Sequence, residues 1–154
     1  MKVDITTMVK YFRDFSTNHQ LIREFGFGPI DQIQVQDRDY PLMWLSLKPS
    51  SMGTNDTTLN FDVYLLTNQN QDHTNLENSM NDMYYLGRDL VSGFYNIEDF
   101  DVYNGSNSLR FTPIMLDFDD VVGGWVFNVP VEFQSDYCYN ENDYDYDPKK
   151  KVKK

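Results

Sequence analysis

The stretch that most constrains this chain runs from Leu109 to Phe133. Trp125, Phe127, Val129, Val131 and Phe133 fall on every second position. Side chains alternate faces along a strand, so this spacing puts all five on one face. Phe111, Ile114, Leu116 and Phe118 approach from the other side of an acidic, glycine-containing centre. The pattern predicts two strands of a hairpin, with Gly123 and Gly124 in its tight turn. A face of five large apolar side chains must be covered, and the rest of the chain must supply the cover.

Upstream, Ile5, Met8, Val9, Phe12, Phe15, His19 and Ile22 recur at steps of three and four. That spacing predicts a helix from about Asp4, which caps it, to about Phe25. Gly26, Gly28 and Pro29 stop it, since glycine accepts the left-handed C-cap and proline cannot continue a helix. Ile30, Ile33 and Val35 then read as a short strand, and Asp37 to Asp39 as a polar corner. Residues 41–48 and 58–66 read as two strands of a hairpin, the second with Leu59, Phe61, Val63 and Leu65 on one face. Between them, residues 49–56 read as a flexible loop by composition. Thr74 and Glu77 match a capping box opening a second helix that runs to about Phe94. Gly87 inside that helix costs about 1 kcal/mol against alanine and points to close approach of another backbone.

The order is helix, short strand, hairpin, helix, hairpin. It predicts an α+β domain: an antiparallel or mixed sheet of about five strands with two helices on one face. Eleven Tyr and eleven Phe supply the bulk to fill one core. A single domain over residues 1–138 is expected. Residues 139–154 change character: acids alternate with tyrosines, including Tyr144 and Tyr146, and a lysine run containing Lys149, Lys150 and Lys151 follows. Such a segment buries too little to offset its ordering entropy, so it is expected to be disordered or ordered only against a partner.

Charge narrows the function. The net charge is −11, and without its five terminal lysines the chain carries −16. Such a surface repels the phosphate backbone, which argues against gripping DNA but not against lining a channel through which DNA slides. Cys138 is the one cysteine, so no intramolecular disulfide forms. No apolar run approaches the roughly 20 residues of a membrane helix, and the N-terminus lacks the apolar stretch of a secretory signal. The expectation is a protein that is cytoplasmic where it is made, with no membrane partner.

Catalytic chemistry has little footing. Asp117, Asp119 and Asp120 cluster, but without calcium-loop spacing or a closing glutamate, and they read as turn acids. His19, His73 and Cys138 lack metal-site spacing. Gly26 and Gly28 end a helix and lack the lysine of a phosphate loop. The reading is no enzyme, no cofactor and no metal. Two alternatives stay open: a monomeric acidic binding module that captures a basic protein, and a small metal-dependent hydrolase built on the aspartates.

One resemblance adds to this. Phe118-Asp-Asp-Val-Val-Gly-Gly-Trp125, the alternating strand after it and Asp136 to Cys138 resemble small neck and tail proteins of tailed bacteriophages infecting Bacteroidetes, including crAss-like phages. Phe25 to Gly28, followed by Tyr40 to Met43, fits the same group, and the match spans about residues 8–138. The resemblance implies a structural virion protein similar to tail-terminator, tail-completion or neck ring proteins. Such α+β domains form rings of six or twelve around the DNA channel and join portal or connector to tail. No catalytic residues carry over. In that setting the 49–56 loop, with Ser50, Ser51, Met52 and Asn55, is expected to reach an adjacent ring. Asp119 and Asp120 at the hairpin turn, Tyr144, Tyr146 and the lysines 149–151 are the other expected contact residues, the lysines meeting a neighbour's acidic surface.

Overall fold

A computed structural model describes residues 4–35, 37–95, 101–102, 109–117 and 121–134. Helix α1 spans Ile5–Asn18. Asp4 caps it as expected: its carboxylate accepts from the Thr7 backbone N–H at 2.8 Å and the Thr7 hydroxyl at 2.9 Å. The helix ends well before Phe25. At His19 the backbone turns extended, and Glu24–Phe27 forms strand β1 instead. Ile22 still reaches the core, so its helical spacing is satisfied by the lead-in to a strand.

Gly28, at φ +153°, turns the chain off the sheet. Its carbonyl accepts from the Trp44 indole at 2.9 Å and the Ser46 hydroxyl at 2.6 Å. The expected strand after Pro29 is a short 3-10 helix, Ile30–Val35. The three-residue step from Ile30 to Ile33 matches the 3-10 period, and both pack on the sheet.

Strands β2 (Leu42–Met52) and β3 (Asp56–Asn68) form one long hairpin. The expected loop over 49–56 is mostly strand: Ser51 pairs Thr58, Met52 pairs Thr57, and residues 53–55 alone make the turn. Composition suggested a loop because the ladder carries a β-bulge, with Pro49 and Ser50 facing Leu59. The bulge is tied by side chains. The Ser50 hydroxyl accepts from the Asn60 N–H at 3.0 Å and donates to the Lys48 carbonyl at 2.9 Å, while the Asn60 amide donates to the Pro49 carbonyl at 2.8 Å.

Helix α2 spans Leu76–Tyr95. The Thr74 hydroxyl, expected to form a capping box with Glu77, instead bonds Asp72 and Asn70 at 2.9 Å. Bonds from the Thr74 hydroxyl and N–H hold the Asp72 carboxyl below its ordinary pKa. Short strand β4 (Asp101–Val102), then β5 (Arg110–Asp117) and β6 (Val121–Gln134), complete the chain order.

The sheet is mixed, five strands across. β1 is parallel to β2; β2, β3 and β6 follow antiparallel; β4 and β5 share the far edge of β6. β6 does alternate as expected, but Gly123 and Gly124 lie within it, paired to Thr67 and Leu66. A Cβ on Gly124 would strike the Leu65 carbonyl, so this glycine admits the neighbouring backbone. The expected tight turn is therefore not at these glycines; residues 118–120 lie outside the described residues, as do 135–154.

Both helices cover one face. Met8 and Phe12 of α1 and Met83, Leu86, Leu90 and Phe94 of α2 pack on Met43, Leu45, Phe61, Val63, Leu65, Phe127 and Val129. The Phe12 ring lies 5.0 Å from Phe94 and 5.5 Å from Phe61. Each buried ring of this kind contributes about 1.5–3 kcal/mol. Gly87 admits the Phe127 ring rather than a backbone. On the other face, Ile33, Leu42, Trp44, Tyr64, Leu66 and Val122 form a second, smaller cluster under the 3-10 helix.

Candidate functional site

Beyond Ser46 the β2–β3 hairpin stays in the sheet, with β3 paired to β6 as far as Asp56 and Gln134; this end of β2 and its turn is called the arm. β1 pairs β2 over Leu42–Leu45, and the Gly28 N–H reaches the Leu45 carbonyl at 3.0 Å. From Ser46 to Met52, no strand pairs the outer edge of β2 among the described residues. Ser50, Ser51 and Met52 end β2 and Asn55 sits in the turn, so these four predicted contact residues are gathered at the arm's tip and are all exposed. Met52 is 73% exposed, the most open large apolar side chain among the described residues. Asp119, Asp120, Tyr144, Tyr146, Lys149, Lys150 and Lys151 lie outside the described residues.

The opposite edge of the sheet is β5, which pairs only β6 among the described residues. Phe111 pairs Phe127 and Met115 pairs Gly123 in register. Phe111 therefore lies on the helix-covered face, and so does Met115 by alternation. The Phe111 ring stacks on Phe127 at 5.4 Å, meets Trp125 at 5.2 Å and Tyr84 at 6.0 Å, and Tyr84 continues to Tyr85. Trp125 donates its indole N–H to the Met80 carbonyl at 2.9 Å, which fixes α2 over this edge. Arg88 stands 5.6 Å from the Tyr85 ring.

Exposure is uneven. Of eight exposed large apolar side chains among the described residues, six border these two edges: Phe27, Leu47 and Met52 on one side, Tyr85, Phe111 and Met115 on the other. Leu47 follows Met43 and Leu45 on the helix face, and Met52 pairs Thr57, in step with Leu59 and Phe61. All of these strand positions thus belong to the same face. The sequence carried Phe111 as a strand residue and Met52 as a loop residue. Nothing in the spacing shows that both stay uncovered, because that depends on where β1 and α2 end.

Each edge is blunted for strand pairing. Pro49 and the bulge interrupt β2, and Lys48 stands on it. Pro113 interrupts β5. A proline lacks an N–H to offer, and bulges and lysines are the usual devices against edge-to-edge association.

The helix-free face beside the arm is polar. Asp62 is buried, accepts from the Asn128 amide at 2.5 Å and faces the Lys48 ammonium at 3.6 Å. Burial, and then the Asp62 charge, raise the Tyr64 hydroxyl above its ordinary pKa of 10.0. An open pocket of about 480 Å³ lies at the end of β1, between Phe27, Ile30, Ser46, Leu47, Lys48 and Tyr64.

The histidines are placed apart in role. His19 Nδ1 accepts from the Leu21 N–H at 3.2 Å, so Nε2 carries the proton and donates to Asp89 at 3.1 Å, tying the end of α1 to α2. His73 sits at φ 58° in the turn before α2. Among the described residues no group of three or more His, Cys, Asp or Glu gathers to hold a metal, and no helix is long and apolar enough to cross a membrane. No family model matches the chain, and no curated protein matches it in sequence.

Proposed function

We propose that this chain is a structural virion protein of a tailed phage, forming a ring of six or twelve copies in the neck or tail that joins portal or connector to tail. The reading rests on the sequence resemblance. One structural observation supports it: exposed apolar side chains gather at two opposite edges of a single sheet, on the same face. A subunit with two different sticky edges suits head-to-tail association, which closes into rings when the rotation permits. The acidic surface suits a lumen that DNA passes without adhering. Any role of the terminal lysines on a neighbour's acidic surface belongs to the same proposal; a chain truncated after Pro148 that assembles like the full chain would remove it.

The experiment is light scattering on the purified chain over a wide concentration range, with electron microscopy of any large species, and a search for the chain in purified virions. Closed rings of six or twelve, or ring-bound copies in the virion, are the expected result. A monomer at every concentration that is also missing from virions would overturn the reading.

A further inference from the structure

We infer that the pocket at the end of β1 binds a small neutral molecule, which offers a carbonyl oxygen to the Tyr64 hydroxyl and an apolar body to Phe27, Ile30 and Leu47. The pocket, about 480 Å³, lies in the size range of small-molecule sites. It wraps the edge of β2 where β1 leaves it. Phe27, paired with Leu45, and Leu47 reach it from the helix-covered face. Ile30, Ser46, Lys48 and Tyr64 reach it from the other face. Tyr64 is 9% exposed, yet its hydroxyl has no hydrogen-bond partner among the described residues. The hydroxyl is not sealed in, since Gln69 Oε1 is the one unpartnered buried side-chain oxygen or nitrogen among those residues. It therefore opens on the pocket that Tyr64 lines. A donor held at the floor of an apolar-walled pocket fixes the orientation of whatever enters.

The other polar side chains of the pocket are engaged. Ser46 donates its hydroxyl proton to the Gly28 carbonyl, which the Trp44 indole also takes. The Lys48 ammonium, half exposed, stands 3.6 Å from the Asp62 carboxylate, and Asp62 is buried and accepts from Asn128 as well. The local field then selects a neutral ligand. Burial, followed by the Asp62 charge, opposes ionisation of Tyr64. The same burial and field oppose a carboxylate or phosphate placed against its hydroxyl. An ammonium ligand meets the Lys48 charge at the rim. A neutral carbonyl suffers neither penalty, accepts the phenolic proton and leaves the apolar walls to the rest of the molecule. Such binding is independent of ring assembly, because every lining residue comes from one copy.

The test titrates full-length chain into three probes of one shape and different charge: 4-fluorobenzamide, 4-fluorobenzoate and 4-fluorobenzylamine. Fluorine line broadening reads the binding whether the chain is a monomer or a ring. The amide is expected to broaden saturably, with a Kd of about millimolar for a molecule this small, and the two charged probes to bind more weakly. Tyr64→Phe keeps the ring and removes the donor, so it should weaken the amide about fivefold. Leu47→Glu, at a position 40% exposed, puts a charge on the apolar wall and should weaken it further. Leu21→Glu, exposed ahead of β1 and away from the pocket, should leave it unchanged. Circular dichroism and melting check that each variant is folded. Absence of saturable broadening by the amide would mean that water alone meets the hydroxyl, and would overturn the inference. So would a folded Tyr64→Phe protein that binds the amide like wild type, or a carboxylate bound as tightly as the amide. If Tyr64→Phe does not fold, Leu47→Glu decides: unchanged affinity overturns the site, and lost affinity upholds it.

Discussion

The Arg38 guanidinium lies over the Trp44 ring, 4.8 Å from its centroid. The sequence offers Arg38 as one polar residue of a corner, yet its side chain is nearly buried. Its Nη1 donates to Glu24 at 2.9 Å, Nε to the Ile33 carbonyl at 3.2 Å and Nη2 to the Gln32 carbonyl at 3.1 Å. One residue thus pins β1, the 3-10 helix and β2 together. The Glu24 carboxylate also accepts from the Asp39 N–H at 2.7 Å.

Replacing Arg38 by alanine strands two carbonyls and a partly buried carboxylate. The expected loss is about 2–4 kcal/mol. Lysine keeps the charge but neither the fork nor the flat stacking surface, so it should recover less than half of that loss. Urea titration of the three proteins measures this. Equal stability of the lysine variant and wild type would show that charge alone holds the corner.

Gly87 sets two effects against each other. In an exposed helix, Gly→Ala gains about 1 kcal/mol. Here the added methyl would enter the Phe127 ring, which itself stacks on Phe111. Overpacking of this kind costs about 1–3 kcal/mol, so Gly87→Ala should destabilise overall. Adding Phe127→Leu should make the alanine less harmful, giving a coupling of at least about 0.5 kcal/mol in a double-mutant cycle. A more stable Gly87→Ala protein would mean that α2 slides freely on the sheet.

Much of the fold was legible because its signals are local. The alternation in β6 and the four inward residues of β3 lie where period two placed them, and Asp4 caps α1. Misreadings came where tertiary pairing decides. The helical step from Phe15 to Ile22 looked continuous, but pairing of Glu24–Phe27 with β2 takes over the chain after Asn18. Ile30 and Ile33 fit a strand or a 3-10 turn, and the capture of the Gly28 carbonyl by Trp44 and Ser46 selects the turn. Pro49 to Asn55 has loop composition, yet Asn60 and Ser50 hold the bulge that lets the ladder continue. Composition singled out Ser50–Asn55, and the structure places these residues exposed at one end of the sheet; the exposed patch at Tyr85, Phe111 and Met115 was not singled out, since exposure is not periodic.

Two tyrosines should govern the alkaline limb of stability. Burial raises Tyr11, and burial followed by the Asp62 charge raises Tyr64, both above 10.0. A raised folded pKa means that the unfolded chain loses these protons first. Stability is therefore full below about pH 10 and falls as pH rises through the folded values. Tyr64→Phe should flatten that fall. Urea midpoints at a series of pH values test it, and an unchanged slope in the Phe variant would exclude Tyr64 as a contributor.

The two edge prolines make the last prediction. Pro49 interrupts the free edge of β2 and Pro113 that of β5, and both edges border exposed apolar side chains. An unblunted edge beside apolar side chains is a template for indiscriminate pairing. Replacing both prolines by threonine, which favours strands, restores two backbone donors at the edges. The monomer's stability should change by less than about 1 kcal/mol, because both positions are solvent-facing. Thioflavin fluorescence and turbidity should rise sooner in the double variant than in wild type, and seeding should spread it. If the double variant stays as soluble as wild type, the prolines do not guard these edges. Protection would then rest on the bulge and on Lys48, and deleting Pro49 to regularise the ladder would be the next change to make.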